Sequence, residues 1–329
     1  MRFAEWQRMP RMRRDDGENP LKIAVLGAGA LGCAIGGALA LAGNDVVLIN
    51  RNRAHVEAIR TNGLRLRQGD TERSVAVRAA TDCTALGPVD LVVVLVKSFH
   101  TEQAMRGAAP LIGADTVVLS LQNGLGHEDI LAEAVGRARV VAGKTYVGGV
   151  LLGPGHILSG TAGKETLIGE LDGTASARIA RIAACFAAAG LATTVSANIL
   201  GTIWDKLLIN VATGAVSGIT GLSYGPLYRI AEIEATAVAA VQEAMDVARA
   251  SGVQLSYTDP RAAWTKAAAG LPEDFKTSML QSLEKGSVTE IDFINGAVVR
   301  WGQRSGVPTP VNATLVACIK GIERARAAM

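Results

Sequence analysis

A run of 21 residues near the N-terminus, Ile23 to Gly43, contains no charged side chain. An apolar run of this length could span a bilayer, since a spanning helix needs about 20 mainly apolar residues. Six of the 21 residues are glycine, however, and Gly27, Gly29 and Gly32 have the spacing G-x-G-x-x-G. The fold of the chain therefore depends on whether this run is a membrane helix or a glycine turn inside a globular domain.

The residues on either side of the glycines favour the glycine turn. The segment KIAVLG is typical of a short β-strand, ALGCAIGGALALAG predicts a helix that ends at Gly43, and NDVVLI (44–49) predicts a second strand. A strand, a glycine turn, a helix and a strand within about 30 residues form a dinucleotide-binding βαβ unit. Charges are missing because a parallel strand is covered on both faces. We therefore predict a Rossmann-type domain and no membrane segment.

Each glycine of the turn has its own predicted role. Gly27 permits a tight turn, Gly29 lets the backbone approach a pyrophosphate, and Gly32 allows the helix to lie close to the strand. The first helical residues, Ala30 and Leu31, present unpaired N–H groups and the positive end of the helix dipole to the phosphates. We predict that these five residues bind the cofactor.

The end of the second strand indicates which dinucleotide is bound. NAD-binding units usually carry an Asp or Glu there, which accepts hydrogen bonds from the adenosine ribose. Here the residues are Asn50, Arg51, Asn52 and Arg53. Because a guanidinium forms charge-assisted hydrogen bonds to phosphate, these residues favour NADPH, with Arg51 as the first candidate for the 2′-phosphate and Arg53 as the second. The alternative is that both arginines only solvate a loop.

Two further polar residues follow predicted strands. Lys97 ends the strand of DLVVVLVK, and Asn123 ends the strand of DTVVLSLQN. Ligands of open α/β sheets bind beyond the carboxyl ends of the strands, the edge that also carries the glycine turn. We therefore predict that Lys97 binds cofactor phosphate or ribose, and that Asn123 binds the nicotinamide ribose or the substrate. Asn123-Gly124 could alternatively be a plain turn.

The pattern changes from mixed α/β to helical at about Asn198. Glycine-broken β runs from Arg139 to Glu170 predict antiparallel strands that complete the sheet, whereas the later sequence predicts helices, with Pro272 at a helix start and Gly252, Gly286 and Gly306 at helix ends. We predict an α/β fold: a Rossmann-type dinucleotide-binding domain (21–197) followed by an all-α substrate and catalytic domain (198–329). Residues 1–20 are predicted to be a disordered arm.

Lys206 and Asn210 lie four residues apart in KLLIN and so share one helix face. The apolar residues around Lys206 predict partial desolvation, which would lower the pKa of its ammonium and make it a better proton donor near neutral pH. The alternative is a surface lysine whose apolar stem packs on the protein.

Glu290 and Ser278 both have a structural alternative to a functional role. Ser287-x-x-Glu290 has the pattern of a capping box, in which the glutamate would bond back to the start of a helix. Ser278, in the middle of a predicted helix, could bond to its own backbone.

Composition excludes several classes of protein. The net charge of +3 is too small for a nucleic-acid surface. The four histidines do not cluster, so no metal site is predicted. Four widely spaced cysteines lie in apolar surroundings, which predicts buried structural thiols in a reducing cytoplasm: Cys33, Cys83, Cys185 and Cys318.

From Leu21 to Glu323 the chain resembles the ketopantoate reductase family. The shared motifs are GAGALG, VLVKS, QNGLGHED, WDKLLIN and especially TSMLQSLEKGSVTEIDFING. The resemblance implies a cytoplasmic enzyme that reduces 2-dehydropantoate to (R)-pantoate with NADPH, in pantothenate and coenzyme A biosynthesis. It implies that Lys206 is the catalytic acid and Glu290 the catalytic carboxylate, that Asn210, Asn123 and Ser278 bind substrate, and that Lys97 binds cofactor. A homodimer is the candidate assembly.

The sequence departs from the family pattern at two positions. Gly214 stands one helical turn after Asn210, and Phe275 stands three residues before Ser278, where some members carry asparagine. Both changes would remove polar contacts near the substrate. A reductase of another 2-keto acid therefore remains an alternative, as does a non-catalytic NADP(H)-sensing protein, although such a sensor would be expected to lose Lys206 and Glu290.

Overall fold

The structure, a computed structural model, describes residues 20–327, so the predicted arm lies outside the described residues except for Pro20. The β-strands of this range are β1 (Lys22–Leu26), β2 (Asp45–Ile49), β3 (Leu64–Gln68), β4 (Thr71–Val75), β5 (Arg78–Ala80), β6 (Leu91–Val94), β7 (Val117–Ser120), β8 (Val140–Thr145), β9 (Gly148–Gly153), β10 (His156–Gly160), β11 (Glu165–Glu170) and β12 (Ala192–Val195). Eight strands form one sheet in the order β12-β11-β8-β7-β6-β1-β2-β5, and four form a second in the order β4-β3-β10-β9.

Helices are interleaved with the strands and then continue alone to the end of the described range. They are α1 (Ala30–Leu41), α2 (Arg53–Asn62), α3 (Thr101–Gly107), α4 (His127–Val135), α5 (Ala177–Ala188), α6 (Ile199–Thr220), α7 (Tyr224–Leu227), α8 (Ala231–Ala250), α9 (Pro260–Ala268), α10 (Ser278–Glu284), α11 (Asn295–Ser305) and α12 (Pro310–Ala327). The predicted fold class, a Rossmann-type α/β half followed by a helical half, is confirmed.

β1 occupies the centre of the larger sheet and pairs in parallel with β2 on one side and β6 on the other. Ile23 and Val25 are completely buried in a core that includes α1 residues, while Ala24 is buried on the opposite face with residues of α3 and α4. Both faces of β1 are therefore covered, which explains why the strand after Lys22 and the helix that follows carry no charge.

The glycine-broken β runs do not all complete the larger sheet, so that prediction was wrong in part. β8 and β11 extend the sheet, with β11 antiparallel to β8, but β9 and β10 leave it and form a hairpin in the smaller sheet. The hairpin packs on α1, where a Cβ on Gly149 would lie 2.9 Å from Ala30 O. Strand periodicity predicted the strands themselves, but their partners depend on this packing against α1.

α6 is the central helix of the C-terminal half, in contact with α8, α9, α10 and α12. Trp204, Leu208 and Val211 on it are almost completely buried. It is the one helix within residues 20–327 long and apolar enough to cross a membrane, yet 67% of its apolar window is buried inside the protein. Its apolar character is therefore that of a core helix.

Two predicted helices near the C-terminus begin later than expected. Pro272 does not start a helix: α10 begins at Ser278, after Thr277, whose side chain accepts a hydrogen bond from Leu280 N. The segment 287–294 contains only a short 3-10 turn, Ile291–Phe293, before α11. Gly252, Gly286 and Gly306 do follow helices with positive φ, as predicted.

The cysteines do not all have the predicted environment. Cys33, Cys83 and Cys185 are buried, but Cys318 is exposed on α12, so the prediction for Cys318 was wrong. Small apolar neighbours in the sequence do not reveal which face of a helix a residue occupies. No group of histidine, cysteine or acidic residues that could hold a metal ion occurs in the described part of the chain.

Candidate active site

The glycine turn between β1 and α1 has the geometry that a bound pyrophosphate requires. Gly27 has φ +102°, and a Cβ there would lie 2.3 Å from Val96 N, so only glycine fits beside the backbone that follows β6. A Cβ on Gly32 would lie 2.4 Å from Gly27 O, whereas a Cβ on Gly29 would meet nothing within 4 Å. Gly27 and Gly32 are thus needed for packing, and Gly29 keeps space open beside the backbone.

A cavity of about 730 Å³ lies beyond the carboxyl ends of the parallel strands. All the residues predicted to bind the cofactor line it, namely Gly27, Gly29, Ala30, Leu31, Gly32, Arg51, Lys97 and Asn123. The N-terminus of α1 opens into it with no side-chain cap and no acidic residue in the first turn. Free N–H groups, the helix dipole and the space at Gly29 therefore fit the phosphates of a dinucleotide.

The two arginines after β2 differ in position. Arg51 is exposed and lines the cavity, whereas Arg53 is the first residue of α2 and does not line it. Asn50 Nδ2 donates to Ala28 O at 2.7 Å and so braces the glycine turn. His100 lines the cavity as well, and desolvation together with the charge of Arg51 lowers the pKa of its imidazole. Of the two candidates for the 2′-phosphate, only Arg51 lines the cavity.

Glu290 does not form the capping box that was its structural alternative. Its Oε1 accepts hydrogen bonds from Ser98 N at 3.1 Å and Ser98 Oγ at 2.6 Å, and its Oε2 lies 3.5 Å from Lys97 Nζ. Ser98 and Glu290 are 192 residues apart in the chain. The carboxylate therefore links the helical half to the cavity, which it also lines.

The segment before Glu290 is fixed by α12. Glu323 Oε1 accepts hydrogen bonds from Thr289 N and Thr289 Oγ1, both at 2.7 Å. Lys320 Nζ in turn lies 2.5 Å from Asp292 Oδ2. Contacts with α12 therefore fix the irregular backbone both before Glu290, at Thr289, and after it, at Asp292. They also fix the direction of the Glu290 carboxylate.

The turn at Asn123-Gly124 docks against the same segment. Gly124 has φ +95°, and a Cβ there would lie 2.4 Å from Phe293 O, which accepts a hydrogen bond from Leu125 N at 2.9 Å. Behind the turn, buried His127 stacks on Phe293, and its Nε2 lies 2.8 Å from Asn123 O. Because a carbonyl only accepts, Nε2 carries the proton. The predicted turn exists and also joins the two halves of the protein.

Lys206 lies on the face of α6 that meets β8. Its Nζ donates to Thr145 O at 2.6 Å and stands 5.4 Å from the centre of the Tyr146 ring. Burial and, to a smaller extent, the nearby charge of Lys144 lower the pKa of the Lys206 ammonium to about 8, and the charge of Glu290 partly opposes this shift. The prediction of a partly desolvated lysine with a lowered pKa agrees with this geometry.

The predicted substrate-binding residues have different surroundings. Asn210 is half-buried one turn after Lys206, and its side chain makes no hydrogen bond within residues 20–327, as is also true of the Asn123 side chain. Ser278 is exposed in the first turn of α10 and does not line the cavity. Gly214 faces Met279, and Phe275 packs on Tyr224 with ring centres 5.0 Å apart. The structure therefore brings Asn123 to the cavity, whereas Ser278, Asn210 and Lys206 are not among the residues that line it.

Four residues at the site were not predicted from the sequence: Ser98, His127, Lys144 and Tyr146. Ser98 follows Lys97 at the carboxyl edge of the sheet, so its position carried a signal. His127 belongs to a motif but had no predicted partner. Lys144 and Tyr146 lie in a glycine-rich β run, and nothing in that run indicated that they would meet α6.

A glycine turn at the edge of a parallel sheet shares a cavity with a carboxylate from a helical half, and a lysine of that half lies near the carboxylate. This fold and this site define the class of two-domain oxidoreductases that use a nicotinamide dinucleotide. Models of two related sequence families match the chain: Ketopantoate reductase PanE/ApbA over residues 23–173, and Ketopantoate reductase PanE/ApbA C terminal over residues 198–323. The chain belongs to the ketopantoate reductase PanE/ApbA family.

Individual relatives agree with this assignment. The 2-dehydropantoate 2-reductase of Halobacterium salinarum is 35% identical over 305 residues, which cover 92% of this chain and 99% of that protein. The crystal structure of a PanE/ApbA family ketopantoate reductase from Ralstonia eutropha JMP134 has a TM-score of 0.85 and 38% identity, covering 93% of this chain and 99% of that one. A D-mandelate dehydrogenase with NADH and anilino(oxo)acetate has a TM-score of 0.86 and 28% identity, with coverage of 93% and 99%.

Proposed function

We propose that the protein reduces 2-dehydropantoate to (R)-pantoate with NADPH, a step on the route to pantothenate and coenzyme A. The observation that carries the proposal is the position of Lys206, an ammonium with a lowered pKa that is held against Thr145 O, close enough to Glu290 at the cavity edge to feel its charge. The curated relatives named 2-dehydropantoate 2-reductase, which match nearly the whole chain, support the same substrate.

Reduction of a 2-keto acid builds negative charge on the carbonyl oxygen, and Lys206 is the group proposed to meet it. Bound NADPH supplies the hydride to the keto carbon. The Lys206 ammonium stabilises the developing oxyanion and donates the proton that completes the alcohol. A pKa of about 8 makes Lys206 a stronger acid than an ordinary lysine while leaving it mostly protonated at pH 7.

The remaining predicted site residues have proposed roles in binding. The side chains of Asn123 and Asn210 have free donors and acceptors for the substrate's hydroxyl and carbonyl groups. Glu290 holds Ser98 in position at the edge of the cavity by accepting its hydrogen bond. Lys97, whose Nζ lies beside the same carboxylate, would bind the cofactor. Ser278 stays a prediction, because it is exposed outside the cavity.

We propose that the two halves of the protein have different roles in the reaction. Residues 21–197 would bind NADPH and residues 198–329 would supply Lys206 and the substrate contacts, with the reaction in the cleft between them. We propose the cytoplasm as the compartment, because three buried thiols are compatible with a reducing environment.

A second candidate is the reduction of a different 2-keto acid, one with an aryl or branched side chain. The likeness to D-mandelate dehydrogenase supports it, since that protein's structure holds anilino(oxo)acetate, an analogue of an aryl keto acid. Gly214 and Phe275 also support it, because glycine and phenylalanine cannot donate the hydrogen bonds that asparagine would. An apolar substrate would not need these hydrogen bonds, so its affinity would be little affected by glycine and phenylalanine at these positions.

A panel of keto acids, followed by the loss of NADPH absorbance, tests both candidates. The proposal predicts the highest kcat/KM for 2-dehydropantoate, with phenylglyoxylate and 2-ketoisovalerate at least tenfold lower, and higher rates with NADPH than with NADH. A preference for phenylglyoxylate would favour the second candidate. Binding of NADPH without oxidation by any keto acid would contradict both and favour a sensor.

Lys206→Ala tests the proposed acid directly. We expect kcat to fall by about 10²–10⁴-fold, the usual range for general acid catalysis, with the Kd for NADPH nearly unchanged. Lys266→Ala is the matched control, because Lys266 is exposed on α9. Turnover by Lys206→Ala at the rate of the control would remove the proposed acid.

A further inference from the structure

Lys144 is a second lysine at the site, and the proposed reaction has not used it. It is 8% exposed and lies on β8, two residues after Ala142, which is buried in the core of the helical half. Side chains two residues apart on a strand point to the same face, so Lys144 also points towards α6. Its Nζ lies 5.3 Å from the centre of the Tyr146 ring, and Lys206 Nζ lies 5.4 Å from the same centre.

Neither ammonium has an anionic partner within the described residues. No carboxylate of residues 20–327 lies within 4.0 Å of Lys144 Nζ or Lys206 Nζ. Glu290, whose charge reaches Lys206, already accepts two hydrogen bonds from Ser98 and faces Lys97. Burying a charge without a partner is unfavourable, and two neighbouring ammonium groups also repel each other. Within the described residues only the Thr145 carbonyl and the Tyr146 ring offset these charges, whereas an anionic ligand would neutralise them.

We propose that Lys144 binds the carboxylate of the 2-keto acid substrate and so places the neighbouring keto oxygen at Lys206. The inference rests on the proposed function and deepens it by assigning the carboxylate to a charged residue. The keto oxygen and the carboxylate belong to adjacent carbons, so a substrate bound near the Tyr146 ring could present the carboxylate to Lys144 and the keto oxygen to Lys206. Gly149, three residues after Tyr146 in the chain, lines the cofactor cavity.

The arrangement also has an electrostatic consequence for Lys206. The groups that face its ammonium are Lys144, Tyr146 and Glu290, of which Lys144 lowers its pKa and Glu290 raises it. Pairing of Lys144 with a carboxylate would cancel the repulsion, so the pKa of Lys206 should be higher in the substrate complex than in the free enzyme. The fall of kcat with rising pH should therefore occur at higher pH than the fall of kcat/KM, because the two report the complex and the free enzyme respectively.

Lys144→Met tests the proposal, because methionine keeps much of the side-chain volume and removes the charge. We expect KM for 2-dehydropantoate to rise by about 10–100-fold, the range for a hydrogen bond to a charged group, with a smaller fall in kcat because the keto oxygen is placed less accurately, and with the Kd for NADPH unchanged. Lys144→Arg should recover most of the affinity. Lys164→Met is the matched control, since Lys164 is exposed just before β11. The melting temperature of each variant checks that it folds.

Calorimetry with oxamate, an unreactive isostere of a 2-keto acid, separates this proposal from the proposed function. Oxamate should bind to the NADPH-loaded wild-type protein and bind at least tenfold more weakly to Lys144→Met, whether or not any keto acid is reduced. If the wild type reduces no keto acid but this difference holds, the function fails and the carboxylate site stands. An unchanged KM in Lys144→Met, equal oxamate affinity in both proteins, or no oxamate binding to the wild type would overturn the inference.

Discussion

The chemistry of the site depends on the protonation of one residue, Lys206. Desolvation, assisted by the charge of Lys144, lowers the pKa of its ammonium to about 8. An acid acts only in its protonated form, so keto-acid reduction should be constant below about pH 8 and fall tenfold per pH unit above it. Oxidation of the hydroxy acid needs the neutral amine as a base, so its rate should rise through the same pH. Measurements of kcat/KM for reduction and for oxidation between pH 6 and 10 test whether the two activities change in opposite directions.

Lys206→Arg provides the control for this pH dependence. The guanidinium stays protonated throughout the range, because the pKa of arginine is above 12. Whatever reductase activity the variant retains should show no decline near pH 8. A decline at the same pH in Lys206→Arg would assign the titration to another group.

Arg51 is expected to determine the preference for NADPH. Its guanidinium lines the cavity and is exposed, so a 2′-phosphate can reach it. Arg51→Ala should raise the Kd for NADPH by about 10–100-fold, the range for a charge-assisted hydrogen bond, and should change the Kd for NADH little. Fluorescence titration of both cofactors measures the two constants. Arg53→Ala, which lies outside the cavity lining, should leave both unchanged; equal effects of the two substitutions would contradict the assignment.

Within the βαβ unit, different glycines serve helix packing and cofactor binding. Gly32→Ala would place a Cβ 2.4 Å from Gly27 O, and such overpacking usually costs about 1–3 kcal/mol of unfolding free energy. Gly29→Ala would meet nothing within 4 Å, so the variant should keep the wild-type stability within about 1 kcal/mol. The new methyl group would instead occupy the space for the pyrophosphate and raise the Kd for NADPH at least tenfold.

Denaturant unfolding and NADPH titration of the two variants distinguish these effects. Gly32→Ala should be the less stable protein, and Gly29→Ala the stable protein with weak cofactor binding. Tight NADPH binding by Gly29→Ala would show that the backbone does not approach the phosphates at this position.

At the scale of the whole molecule, the two halves meet where Gly124 contacts Phe293. Gly124→Ala and Gly126→Ala impose similar backbone strain, because their φ values are +95° and +96° and a left-handed residue costs about 1–2 kcal/mol. Only Gly124→Ala adds a clash, with Phe293 O, whereas a Cβ on Gly126 meets nothing within 4 Å. We expect Gly124→Ala to lose more unfolding free energy and also to lower kcat, since Phe293 lies in the segment that positions Glu290.

The pair Gly124→Ala and Gly126→Ala is measured by denaturant unfolding and by kcat at saturating substrate. The difference between the variants isolates the contact between the halves, because strain is common to both. Equal losses of stability and turnover would mean that this contact does not hold Glu290 in place.

The parts of the fold that were predictable depend on local physical chemistry. The glycine turn, α1 and β2 were predicted because a tight turn, a helix and a buried strand each leave a pattern in neighbouring residues. The start of α10 and the irregular segment 287–294 were not predicted. Their backbone is held by distant groups, such as Glu323 on α12, and the local pattern of a capping box gave no sign of them.

Residue spacing within single elements was sufficient to predict the βαβ unit, the glycines that line the cavity and the helical second half, and to select Arg51 as a candidate for the 2′-phosphate. Packing between distant elements is what brings Glu290 to Ser98, places Lys144 and Lys206 near the Tyr146 ring and leaves Cys318 exposed. The physical reason is distance along the chain. Contacts between residues up to 192 positions apart depend on how two cores pack together, and periodicity within an element carries no record of that packing.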